Sequence, residues 1–144
     1  MKSIFTYLII SALFFSNTFI TLDDLQWKKR VLLCFVSPTD DTPFVLDVND
    51  SIEYEMKERD LVYFVIADTI TTNSGSVFNE EYAEEIRKVY SLGAKSHCWV
   101  LLGKDGGLKL RKEGETPDWH ELFATIDIMP TRQKEIRKKQ EGDI

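Results

Sequence analysis

HCWVLLGKDGGLKLR, residues 97–111, decides the fold. The apolar run His97 to Leu102 is separated by Lys104-Asp105-Gly106-Gly107 from the alternating Leu108-Lys109-Leu110-Arg111. An Asp-Gly pair between two extended runs is a strong hairpin signal. The spacing predicts a type I′ turn with Gly106 at positive φ, where any Cβ is strained. Strands joined this tightly are antiparallel.

Upstream, Val31 to Val36 (VLLCFV) and Asp60 to Asp68 (DLVYFVIAD) have the length and flanks of strands buried on both faces. Between them, Thr42-Pro43 opens a segment with Val45, Val48, Ile52 and Met56 at spacings of 3, 4 and 4. That stripe predicts a helix with Pro43 in its first turn. Two strands joined by a helix make a right-handed parallel crossover. Thr69 to Asn79 is polar, carries Asn73-Ser74-Gly75 and reads as a loop. Glu80 to Leu92 places Tyr82, Ile86, Val89 and Tyr90 on one helical face, with Gly93 at the C-cap. Leu22 to Arg30 reads as a lead-in turn or a helical turn with Leu25 and Trp27 pinned on the core.

Downstream of the hairpin, Pro117 starts a helix bearing Trp119, Leu122, Phe123 and Ile126. Met129-Pro130 ends or kinks it, and Thr131 to Lys139 continues as a basic helical segment. The expected fold is α/β, a four-stranded mixed sheet with helices on both faces, in the thioredoxin-type order. No internal period indicates a repeat architecture.

The N-terminus reads as an address. Lys2 precedes Ile4 to Phe15, which holds ten apolar residues out of twelve, and Ser16-Asn17-Thr18 break the run. This is the pattern of a signal peptide over residues 1–20, followed by one domain over 21–140. The competing reading is an uncleaved anchor, since Ser3 to Leu22 has no charge over 20 residues. The polar triplet favours cleavage, which leaves no stable membrane span and implies an exported, periplasmic or secreted protein.

The 144 residues carry 24 acids and 18 bases, a net charge of -6 that becomes -7 when Lys2 is removed. An acidic chain lacks the clustered Lys and Arg that grip a phosphate backbone, so no nucleic-acid partner is expected. Two cysteines and two histidines exclude a disulfide-dense scaffold and a four-thiolate zinc site. Charge is uneven: Ser37 to Asp60 has eight acids against Lys57 and Arg59, and Pro130 to Ile144 has five bases against three acids. These poles read as solvated faces or as a binding module for oppositely charged partners. The basic tail has no Trp or Phe on an opposite face, so a membrane-lying helix is not expected.

LDDLQWKKRVLLCF, ERDLVYFVI, LLGKDGGLKLR and ELFATIDIMPTRQKEIR together resemble the bacterial DUF4174 proteins over about residues 22–138. The same domain is similar to thioredoxin-like repeats of some animal extracellular-matrix proteins. The GKDGG stretch together with the C-terminal IDIMPTRQ carries the specificity; Thr131, where the family more often has Met, and Cys98, where Thr is commoner, depart from it. The resemblance implies a thioredoxin-like, peroxiredoxin-related fold, usually exported, with no established enzymatic activity.

A thioredoxin-type enzyme needs a nucleophilic Cys after the first strand, at a helix N-terminus. Ser37-Pro38-Thr39-Asp40-Asp41-Thr42 stands there instead, without Cys-x-x-Cys. Cys34 reads as a buried small hydrophobe. Cys98 aligns near the cis-proline position of thioredoxins, partly exposed beside that loop, and is the one alternative catalytic residue. A disulfide is not expected, because Cys98 should face the first strand about three residues past Cys34, and about 3.3 Å per residue exceeds the allowed reach. His97, Cys98 and His120 are rejected as a metal set, since adjacent strand residues face opposite ways. Gly103-Lys104 has the ending of a phosphate loop but is followed by Asp105. Ser37, Asp40, Asp41 and His97 are the residues of an imagined hydrolase site, without a nucleophile elbow. The resulting expectation is a non-catalytic exported domain with no cofactor and no metal, acting on an unidentified protein or envelope partner. The alternative is a divergent thiol-dependent redox protein using Cys98.

Overall fold

The computed structural model describes residues 19–142. The apolar segment read as a signal peptide therefore lies outside the described residues up to Thr18. A short helix α1 (Leu22–Leu25) leads into β1 (Arg30–Phe35), α2 (Asp50–Glu58), β2 (Leu61–Ile66), β3 (Ile70–Thr72), α3 (Glu80–Ser91), β4 (Cys98–Leu102), β5 (Leu108–Glu113), α4 (Trp119–Asp127) and α5 (Pro130–Gly142). The strands form one sheet in the order β3-β2-β1-β4-β5. β1 and β2 are parallel, and every other pairing is antiparallel.

The sheet thus has five strands rather than four. The addition is β3, within the stretch expected to be loop, where Ile66 faces Ile70 and Phe64 faces Thr72. Ile-Thr-Thr is β-branched and suits a strand. As an edge strand it has no need of an apolar run, and its polar surroundings hid it.

Alternation along the strands sends side chains to two cores. Val31, Leu33, Phe35, Phe64, Val100 and Leu102 pack with Ala83 and Ile86 of α3. Leu32, Cys34, Trp99 and Leu101 pack on the other side with Met56 of α2 and with Leu122 and Ile126 of α4. Helices therefore cover both faces, which is why β1 and β4 read as continuous apolar runs.

Two local expectations fail. Residues 43–49 are extended, and the helix starts only at Asp50, where the Asn49 side chain accepts a bond from the Ile52 N–H at 2.9 Å. Phe44, Leu46 and Val48 face the core while Val45 is exposed, a period of two that overrides the 3-4-4 spacing. The Trp119 indole N–H donates to the Asp47 carbonyl and pins the segment. The hairpin also differs from a type I′ turn. The Gly106 N–H donates to the Gly103 carbonyl at 3.0 Å, and Gly106 has φ +80°. Asp105 is not in the left-handed region. The connection is thus a type I turn closed by one left-handed glycine, the three-residue form of the hairpin.

Candidate functional site

The loop after β1, where the expected thioredoxin-type enzyme would need its nucleophile, is locked by hydrogen bonds. The Ser37 N–H donates to His97 Nδ1 at 3.0 Å, and His97 Nε2 pairs with the Thr42 carbonyl at 2.6 Å. The His97 N–H donates to Asp40 Oδ2 at 3.0 Å. Asp40 Oδ1 accepts from the Thr42 N–H at 3.0 Å and from its hydroxyl. These bonds from Thr42 and His97 lower the Asp40 carboxyl to about 2. The Ser37 and Thr39 hydroxyls both donate to the Lys95 carbonyl, at 2.8 and 2.9 Å. The Phe44 ring meets His97 edge-on.

Three residues of the imagined hydrolase set, Ser37, Asp40 and His97, are therefore brought together, yet in a structural arrangement. The His97 nitrogen that would accept a proton from Ser37 Oγ is occupied by the Ser37 backbone N–H. The serine hydroxyl points to a carbonyl. Asp41 is exposed beside them. Both ring nitrogens of His97 have protein partners, and His120 lies on α4, lining a groove with Ile52, Arg59 and Phe123. Among the described residues, no three His, Cys, Asp or Glu side chains gather to hold a metal ion.

Cys98 is not partly exposed: its accessible surface is 0%. Its thiol is pushed up by burial, partly countered by the nearby Arg111 charge. Nor does it face a point three residues beyond Cys34. Cys98 pairs with Phe35, and Cys34 pairs with Trp99. Paired residues share a face and neighbours alternate, so the two thiols point to opposite sides of the sheet. Both cysteines are free and buried, and burial raises the Cys34 thiol strongly.

Residues that the sequence did not single out organise both ends of the sheet. At the carboxyl ends of β1 and β2, the Arg87 guanidinium donates to the Val36 and Ile66 carbonyls, each at 3.0 Å. A cleft of about 500 Å³ opens there between Pro38, Asp68, Glu84 and Arg87. At the opposite end, Arg30 is completely buried. Its two terminal nitrogens donate to the two Glu135 carboxylate oxygens, each at 3.2 Å, and also to the Arg59 carbonyl and Thr131 Oγ1. Lys104 Nζ, from the hairpin, bridges Glu135 at 2.6 Å and Asp60 at 2.9 Å. Arg59 and Arg132 both bind Asp127. The only legible signal was a charge directly preceding an apolar strand, which alone names no partner.

Trp27 also departs from expectation. It is 67% exposed rather than pinned on the core, and it has φ +66°. Its N–H donates to the Lys104 carbonyl at 2.6 Å. Its side chain forms one wall of a cleft of about 320 Å³ whose other walls are the hairpin and Met129-Pro130-Thr131. No helix among the described residues is long and apolar enough to cross a membrane.

A family model described as "Domain of unknown function (DUF4174)" matches residues 21–135. No curated protein and no solved structure matches the chain.

Proposed function

This chain belongs to the DUF4174 family, and from that premise we propose that it is an exported, non-catalytic interaction module of thioredoxin-type topology, associated with the cell envelope. The order β2-β1-β4-β5, with only β1 and β2 parallel, supports the thioredoxin-type reading; β3 is an added edge. The observation that carries the non-catalytic reading is the loop Ser37–Thr42. Where a thiolate would need positive potential it has Asp40 and Asp41, and its hydroxyls and the His97 ring are bonded to backbone groups. Thiol-disulfide exchange requires an accessible thiolate and a resolving thiol. Cys98 has no accessible surface and Cys34 lies on the other face of the sheet, which weighs against the redox alternative.

Insulin reduction by dithiothreitol tests this reading. The expected rate with the protein equals the buffer blank. A rate well above the blank that disappears in Cys98→Ser establishes the redox alternative instead.

A further inference from the structure

We propose that the cleft walled by Trp27, the hairpin and the Met129–Thr131 elbow docks an acidic peptide segment that inserts one large apolar side chain. This supplies the contact surface of the interaction module and rests on that reading.

The first observation is Trp27 itself. Gln26 has φ -56° and ψ 135°, Trp27 has φ +66°, and the Lys28 N–H donates to the Leu25 carbonyl at 3.0 Å. That is a type II turn with tryptophan at the third position, where positive φ favours glycine. A bulky side chain there is a genuine outlier. The usual compensation, burial of the indole, is absent at 67% exposure. Strain of this kind persists where a site uses it. Here the bond from the Trp27 backbone N–H to the Lys104 carbonyl ties the turn to the hairpin.

The second observation is a further exposed apolar side chain next in sequence to the cleft wall. Ile128, in the elbow between α4 and α5, is 77% exposed and directly precedes Met129 and Pro130 of the cleft wall. The cleft of about 320 Å³ is concave and takes one aromatic or branched side chain, which fits a peptide anchor better than a flat lipid surface.

The third observation is charge. Lys104 and Lys109 line the cleft; Asp105 is bridged to Lys109 at 3.0 Å and Lys104 is held by Asp60 and Glu135, so the charges open to a partner are those of Lys28 and Lys134. Lys28 adjoins Trp27. Lys134 lies four residues after Pro130 and three after Thr131, on the same helical face. Among the described residues neither Lys28 nor Lys134 has an ion-pair partner, so the rim is positive on a chain of net charge -6. A partner with acidic residues flanking its apolar anchor complements that rim.

The probe is an end-blocked peptide of one phenylalanine between two pairs of glutamates, titrated into the exported protein by NMR amide shifts. Saturable binding is expected, with shifts confined to residues 26–28, 103–109 and 128–134 and weakening as salt rises. The same peptide with lysines, or with alanine for phenylalanine, should bind at least tenfold more weakly. Trp27→Gly should weaken binding at least tenfold while leaving the melting temperature equal or higher, because glycine suits the turn. Lys134→Glu should weaken it several-fold. Absence of saturation at millimolar peptide, equal binding of the lysine peptide, or unchanged binding in Trp27→Gly overturns the proposal. So does a lowered melting temperature of Trp27→Gly, which makes the indole a structural anchor. Trp27-dependent binding to anionic vesicles without peptide binding assigns the patch to lipid, and Trp27-dependent dimerisation assigns it to a second copy; either result replaces the peptide. The insulin assay is independent of these results, so failure of the docking site and failure of the non-catalytic reading are distinguishable.

Discussion

Arg30 opens β1 with a full positive charge and no exposed surface. Removing such a charge from water is costly unless its donors are paired. Glu135 answers two of them, Thr131 Oγ1 and the Arg59 carbonyl two more, while Nε has no partner among the described residues. Glu135→Ala leaves the guanidinium buried against neutral acceptors and should destabilise the fold by about 2–4 kcal/mol, read by urea unfolding. A loss below about 0.5 kcal/mol, the range of ordinary surface substitutions, contradicts this account. Acid should act on the same latch. Burial alone would raise the Glu135 carboxyl, but hydrogen bonds and charge from Lys104 and Arg30 prevail and leave it below its ordinary value of 4.5. Asp60 and Asp127 shift the same way against their own burial, through Lys104 and Arg59 respectively. A carboxyl lowered in the folded state contributes stability above its unfolded pKa, and that contribution is lost as pH falls through the folded value. Thermal stability should therefore decline from about pH 4.5 downward, and the Asp40 contribution should be lost as pH approaches 2. Equal melting temperatures at pH 6 and pH 3 would count against the latch.

Among the elements, the hairpin is the one whose turn chemistry carries an energetic consequence. A Cβ on Gly106 would meet the Gln26 side chain at 3.6 Å, an ordinary contact, so space is not the constraint. The constraint is φ +80°. Gly106→Val should destabilise by about 1–3 kcal/mol, and unchanged unfolding would show that the strands are joined differently. The hairpin was legible because its signal is local: two residues set the turn. α3 was legible for the same reason, with Asn79 capping the Tyr82 N–H and Ile86 on the buried face, although Val89, expected on that face, is exposed. Residues 43–49 were misread because their packing partners are distant. Their apolar positions satisfy both a helical and a two-residue period, and the bond from Trp119 to the Asp47 carbonyl belongs to the extended form. β3 was missed since it is recruited by pairing with β2, a contact that its own composition does not announce.

For the molecule as a whole, the folded part begins earlier than residue 21. Phe19 bridges Val77, and the Ile20 N–H donates to the Val77 carbonyl at 2.9 Å. If the apolar leader is removed on export, cleavage after Thr18 preserves these bonds, and mass spectrometry of the exported protein should find an N-terminus at Phe19. An intact Met1 would establish an anchor instead, and a start at Thr21 would show that the bridge to Val77 is dispensable. Sequence alone determined the mixed α/β class, the parallel crossover, the antiparallel hairpin and the absence of a Cys-x-x-Cys, because apolar periodicity, turn residues and motif spacing are properties of neighbouring residues. Tertiary structure alone decided that Cys34 and Cys98 face opposite sides of the sheet, since that depends on a register between strands more than sixty residues apart. It also decided that buried Arg30 shares one charge network with the partly exposed Lys104 and Glu135, and that Trp27 stands in solvent beside Met129. Burial and charge pairing are set by what the fold brings together, and a position in the chain carries no record of its distant partner.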